Sequence, residues 1–316
     1  MIDPDLLNRF LAAIDRLLPD RTTPIGLAVS GGPDSLALVL LARAAGLRIA
    51  AATVDHGLRP EAAAEADYVA QICAELGVRH QILRLTHPPT GNVQAWARRE
   101  RYAALSRWQA DGHLPYLATA HHADDQLETM LMRLNRGAGV GGLAGIRAAR
   151  GAILRPLLDW RKAELEALVA KAGLTPVADP SNSDDRFDRA RLRKALRDAP
   201  WLDAQAAARS AQALASADEA LDWAAAQALA ARLTAPRAGQ VHLDPQDLPF
   251  ELLRRVVRTC LIRVRPEAAP RDDELLRLLR SLQDGRTATL AGVKCSGGPV
   301  WSFAKAPAAR PVARNS

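Results

Sequence analysis

The chain has 316 residues, 48% hydrophobic and 24% charged, and a formal net charge of +7. That length can bury two domain cores, and the composition is that of a globular protein rather than a disordered or fibrous one. No apolar run approaches the ~20 residues of a membrane span, and MIDPDLLNRF at the start lacks a signal-peptide pattern, so a cytoplasmic protein with no membrane partner is expected.

The segment 5–18 has helical apolar spacing. PIGLAVS (24–30) is a short apolar run that stops at glycines and reads as a buried strand. DSLALVLLARAAG then reads as a helix ended by Gly46, 47–57 as a second strand, 61–77 as a second helix and 79–85 as a third strand. Residues 92–111 read as a helix, YLATAHH (116–122) as a fourth strand, and 123–135 as its helix. Strand and helix alternate throughout, which predicts an α/β fold: a parallel sheet with helices on both faces. Ligands bind such sheets at the carboxyl ends of the strands, where the polar clusters Ser30–Ser35, Asp55–Arg59 and His121–Asp125 all fall.

Beyond Gly145 the pattern loosens. A helix is expected around 161–172, then the polar loop ADPSNSDDRF and a basic helix, RARLRKALR (189–197). The catalytic domain is accordingly expected over 1–200. Residues 201–239 read as an Ala-rich helical connector in which Trp201 and Trp223 pack, 240–304 as a small α+β domain, and 305–316 as a disordered tail.

The letters SGGP occur at both 30–33 and 296–299. A phosphate cradle needs backbone N–H groups aimed one way and no side chain in the path, which a strand turning through glycines into a helix provides. AVSGGPDSLALVL has that grammar; CSGGPVWSF is flanked by β-type residues and reads as a hairpin turn. Lacking the Lys of a Walker A loop but carrying Asp34, the first copy suits pyrophosphate held through magnesium. GAGVGGLAG matches GxGxxG, but a helix precedes it where a dinucleotide fingerprint needs a strand, so it reads as a flexible loop able to lie against a ligand. HHADD could by itself be a metal-dependent phosphohydrolase signature, but the βα context argues against that. Asp124 or Asp125 could equally serve as a plain helix cap.

SGGPDS (30–35), TVDHGLRP (53–60), GNVQAWARRERY (91–102), the stretch 119–146 opening with TAHHADD, RPLLDW (155–160) and DPSNSDDRFDRARLR (179–193) stand in one order. Together they resemble the PP-loop ATPases of the tRNA(Ile)-lysidine synthetase family, over roughly the first two-thirds of the chain. Ala190 stands where the family usually has Asn. The resemblance implies a ligase that uses ATP to adenylate the carbon-2 oxygen of the wobble cytidine of an isoleucine tRNA, after which the ε-amine of lysine displaces AMP. It implies Ser30, Gly31, Gly32, Pro33, Asp34, Ser35 and Asp55 for the nucleotide, and Asp34 and Asp125 for Mg2+. Asp125 is alternatively a ligand of the lysine amine. His122 would stand near the cytosine or phosphates and Arg98 near the α-phosphate. Arg186, Arg189, Arg191, Arg193, Lys194 and Arg197 would contact RNA, with Arg189 and Arg193 nearest the active centre. Oligomeric state stays open, a homodimer being one option.

Two other functions compete. A tRNA sulfur transferase of the same superfamily generally needs paired cysteines, whereas Cys73, Cys260 and Cys295 are dispersed without a CxxC spacing. A non-catalytic ATP sensor would have no use for Asp34, HHADD or the basic helix. Net positive charge suits an RNA partner, although Ala/Arg richness also follows from a GC-rich genome.

Overall fold

The computed structural model describes residues 2–86, 91–177 and 188–307, in two compact units, Met1–Ala215 and Ser216–Ser316. In the first unit the chain runs α1 (Pro4–Leu17), β1 (Ile25–Ala28), α2 (Pro33–Ala44), β2 (Ile49–Asp55), α3 (Glu61–Glu75) and β3 (Arg79–Arg84). It continues through α4 (Val93–Asp111), β4 (Tyr116–Ala118), α5 (Ala123–Leu134), the single turn α6 (Val140–Leu143), β5 (Ala149–Arg150), β6 (Ile153–Leu154), α7 (Lys162–Lys171) and α8 (Asp188–Arg197). Helix α9 (Ala204–Arg232) spans the division between the units.

The sheet order is β3-β2-β1-β4-β6-β5, and every pairing is parallel except that of β5 with β6. Side chains alternate across the strands and separate two cores. Leu27 and Ala51 face the helices α1, α2, α3 and α7. Ala50, Ala52 and Leu117 face Leu105 and Trp108 of α4 on the other side. Helix α2 is buried from Ser35 through Ala42, matching its nearly unbroken apolar sequence.

The β5–β6 hairpin is an addition to the sequence reading: two-residue strands carry no periodicity to detect. β4 is shorter than YLATAHH suggests. Its last ladder bond runs from Thr119 N–H to the carbonyl of Leu154 at 2.9 Å, after which the chain leaves the sheet and carries His121 and His122 away from it.

The second unit is an antiparallel sheet, β7-β8-β11-β10-β9, made of β7 (Leu233–Arg237), β8 (Gln240–Leu243), β9 (Thr287–Leu290), β10 (Val293–Ser296) and β11 (Trp301–Lys305). Helices α10 (Phe250–Val264) and α11 (Asp272–Gln283) share its core with Trp301 and Phe303. The second SGGP is the turn joining antiparallel β10 and β11, as its flanks predict. Residues 201–239 are occupied mainly by α9 and β7, and the division between the units falls inside α9. The expected tail begins as structure, Lys305 closing β11, and its residues 308–316 lie outside the described ones.

Trp201 and Trp223 do not pack as the Ala-rich periodicity suggests: they are 78% and 68% exposed. In each case smaller apolar residues nearby take the buried positions, Ala204 and Ala208 after Trp201, and Ala225 and Leu229 after Trp223.

Candidate active site

The strand order reverses between β1 and β4, both of which lie inside the sheet. Their carboxyl ends therefore diverge into helices on opposite faces and leave a crevice. The Ser30–Ser35 loop leaves β1 there, and His121–Asp125 leaves β4.

The first loop is locked from within. The Ser35 hydroxyl donates to the Gly32 carbonyl at 3.0 Å and accepts from the Ser30 N–H at 3.1 Å, with the Ser30 hydroxyl 3.3 Å away. Gly31 has φ +84°, and its carbonyl accepts from the Val177 N–H at 2.9 Å. In a trans peptide the N–H of the next residue points opposite to that carbonyl, so Val177 fixes the direction of the Gly32 N–H. Gly32 is the N-cap of α2, followed by Pro33, Asp34 and Ser35 in its first turn. The loop thus presents amides at a helix N-terminus, the geometry that receives phosphate.

Across the crevice, His122 is buried among three carboxylates. Its Nε2 is 3.5 Å from Asp34 Oδ2 and 3.5 Å from Asp125 Oδ2, and its Nδ1 is 3.4 Å from Asp124 Oδ2. Burial by itself would lower its pKa; the neighbouring carboxylates of Asp124, Asp34 and Asp125 overcome this and raise it to about 10. Asp124 also accepts the Lys162 N–H at 2.7 Å, satisfying an amide at the start of α7. Asp125 Oδ2 accepts the His122 N–H at 3.2 Å, closing the start of α5. Both acids therefore act as caps, and Asp125 also faces the crevice residue Asp34 across one imidazole nitrogen.

Behind Asp125 lies a residue the sequence reading missed. Glu128, one turn along α5 and 3% exposed, accepts from Arg189 Nε and from Arg193 Nε, each at 2.6 Å. The same arginines reach Asp125 Oδ1 at 2.9 Å and 3.5 Å. The available signal was a matched pair of spacings: acids three apart on α5 and arginines four apart on α8, each pair on one helical face. Arg191, Lys194 and Arg197 are exposed on α8, and Arg186 lies outside the described residues.

His121, next in sequence to His122, has the opposite surroundings. Thr119 Oγ1 is 2.9 Å from its Nδ1. Burial, then the charges of Arg155, Arg98 and Arg101, lower its pKa to about 4 against the pull of Asp125. Arg98 is itself exposed, with its guanidinium 5.2 Å from the Tyr102 ring. Buried Arg155 donates to the Arg147 carbonyl at 2.7 Å. Adjacent histidines thus separate an arginine-rich lobe from a carboxylate lobe. Asp55 is buried, and one of its oxygens accepts the Gly57 N–H at 2.9 Å, so that side chain shapes its own loop.

The 137–145 glycine stretch is fastened rather than loose. It contains α6, Arg133 donates to the carbonyls of Gly142 and Gly145, and the Gln126 amide pairs with Ile146 in both directions.

Among the described residues no three His, Cys, Asp or Glu side chains form a ready-made metal cage. Magnesium is commonly held by one or two carboxylates plus substrate phosphates and water. Asp34 Oδ1 is buried without a hydrogen-bond partner, and the other oxygen of Asp34 meets the Asp125 carboxylate at a common neighbour. These hard oxygen donors beside a phosphate cradle fit that ion.

Residues 6–199 match the family described as PP-loop domain. The chain is 45% identical over 293 residues to the tRNA(Ile)-lysidine synthase of Zymomonas mobilis, covering 90% of this chain and 88% of that protein. It is 46% identical over 297 residues to the enzyme of the same name from Novosphingobium aromaticivorans, covering 91% and 90%. Among solved structures it resembles the U34-tRNA thiolase NcsA of Methanococcus maripaludis with its [4Fe-4S] cluster. The TM-score is 0.55 at 17% identity, over 66% of this chain and 77% of that one, a likeness of fold.

Proposed function

The chain belongs to the tRNA(Ile)-lysidine synthase family of PP-loop proteins, and from that membership we infer its activity: an ATP-dependent ligase that forms lysidine on an isoleucine tRNA. In this reading ATP adenylates the carbon-2 oxygen of the wobble cytidine with release of diphosphate, and the ε-amine of lysine then displaces AMP.

The observation that carries the reading is the meeting of Asp34 and Asp125 at His122 Nε2, each at 3.5 Å, across the point where the strand order reverses. We assign the backbone of Ser30–Ser35 to the triphosphate, with Ser35 holding the loop in shape. Asp34 and Asp125 would hold magnesium. When bound, that ion supplies neutralising charge for the leaving diphosphate. Arg98, Arg101 and Arg155 around His121 supply positive potential for the phosphate that carries the adenylate. Because His121 is kept neutral, it can hydrogen-bond without adding charge. His122 keeps the carboxylates gathered before substrates bind. Arg189 and Arg193, backed by Glu128, orient Asp125, whose oxygens suit the ammonium of an incoming lysine.

A sulfur transferase is not favoured: Cys73, Cys260 and Cys295 are all buried, and burial raises their pKa values. Diphosphate release measured with ATP, lysine and tRNA tests the proposal. Release should depend on tRNA, and its continuation over many turnovers on lysine; ATP turnover indifferent to both would refute it.

A further inference from the structure

Helix α8 has an inner and an outer side. Arg189 and Arg193 reach inward to Glu128 and Asp125, and Leu196 packs with Ala123 and Leu127 of α5. At about 100° per residue, Arg191 and Lys194 fall on the outer side and Arg197 on the flank between it and Arg193, and all three are exposed. Arg191 and Lys194, with Ala195 and Asp198, line an open depression of about 350 Å³.

The winding continues past the helix end. Asp198, Ala199 and Leu202 donate their N–H groups to the carbonyls of Ala195, Leu196 and Ala199. Leu202 packs against the cluster of Ala123, Leu127 and Ala204. That inward turn holds its neighbour Trp201 outward, 78% exposed, just beyond the cations. A large aromatic ring on a short, hydrogen-bonded turn, beside a basic stripe, is the combination by which proteins bind single-stranded nucleic acid: cations follow the backbone and the ring takes a base.

We propose that Trp201, with Arg191, Lys194 and Arg197, forms a platform on which an unpaired base of the tRNA stacks while the cations hold the adjoining phosphates. The inference rests on the assignment of tRNA as substrate and adds where the RNA is gripped. Its position is apt, since only about 12 Å of helix separates Arg189, which touches Asp125, from Arg197. Unpaired loop bases are the features of RNA that aromatic side chains read. Trp223, the other exposed indole, follows Asp222 in a helix whose Asp218 and Asp222 bind Arg255, so the same argument does not extend to it.

The test uses the full chain with unmodified isoleucine tRNA, comparing wild type, Trp201→Ala and Trp201→Phe. Trp201→Ala should weaken tRNA binding and raise the KM for tRNA by about ten-fold or more, leaving the KM values for ATP and lysine unchanged. Trp201→Phe, which keeps a stacking face, should restore most of the affinity. Unchanged tRNA affinity in Trp201→Ala would overturn the proposal. So would a loss accompanied by a lower Tm and impaired ATP binding, which would mark Trp201 as a folding residue. A wild-type chain that does not bind tRNA would instead overturn the substrate assignment, and the platform with it.

Discussion

Val177 donates its main-chain N–H to the carbonyl of Gly31 at 2.9 Å, and its Cγ2 stands 2.8 Å from where a Cβ on Gly31 would lie. Val69 Cγ2 stands at the same 2.8 Å from that point, and Gly31 has φ +84°. Gly31→Ala therefore meets both backbone strain, about 1–2 kcal/mol, and two packed methyl groups. Its expected effects are a Tm several degrees lower and a raised KM for ATP. Adding Val177→Ala should recover part of the Tm, because one of the two clashes disappears while the strain stays. Thermal melts of the single and double variants check this.

Asp34→Ala and Asp125→Ala should each remove diphosphate release; Asp34→Ala should keep the wild-type circular dichroism and melt, whereas Asp125→Ala, which loses the cap on the His122 N–H and the contact with Arg189, should also melt lower. Asp34 already has a buried oxygen without a partner, so losing its carboxylate removes little that the fold uses. Turnover near the wild-type rate in either variant would remove the magnesium role.

Glu128→Gln separates positioning from contact. Breaking one side of a buried ion pair costs about 3–5 kcal/mol, and the arginine side chains here are 40% and 33% exposed, which lowers that figure through solvent screening. A loss of about 1–3 kcal/mol in denaturant melts is expected, together with a lower kcat. Arg191→Ala, on the outer side of the same helix, leaves the Glu128 pairs in place and should cost less in the melt than Glu128→Gln.

Salt dependence distinguishes the two sides of α8 further. Lys194→Ala should reduce the slope of log K for tRNA against log[salt] by about 0.7 if it neutralises one phosphate of a single-stranded segment. Arg193→Ala should change that slope less, because Arg193 is engaged with Glu128 and Asp125. Affinities measured across a salt series decide it.

The thiols give a pH prediction. Burial raises Cys73 to about 11, and burial chiefly raises Cys260 and Cys295 to about 12, from an ordinary value of 9.0. Below the unfolded value all three are neutral in both states, so their contribution is intact there. As pH rises toward the folded values the unfolded chain ionises first and stability falls. Native protein at pH ~8 should therefore resist iodoacetamide at all three positions, while urea-unfolded protein reacts at each. Mass spectrometry of the labelled chain reads the outcome.

The parallel sheet and its loops were legible because each strand end is marked locally: an apolar run, then glycine or a cluster of polar residues, then helical spacing. The loop 30–35 and HHADD needed only that grammar to be placed at the same sheet end. Glu128 was not legible, since its meaning depends on Arg189 and Arg193 returning from another helix more than sixty positions later. The opposite pKa shifts of His121 and His122 were equally hidden. Identical residues side by side differ only through what tertiary structure sets around them. Trp201 was misread because an Ala-rich periodic stretch follows it, and periodicity does not say which residue of a turn takes the seat inside.

His122, Arg189 and Arg193 are counter-cations that the polypeptide brings with it, so the acidic lobe is assembled without borrowing charge from solution. The disposition of these carboxylates is then a property of the folded chain itself, fixed by its own side chains.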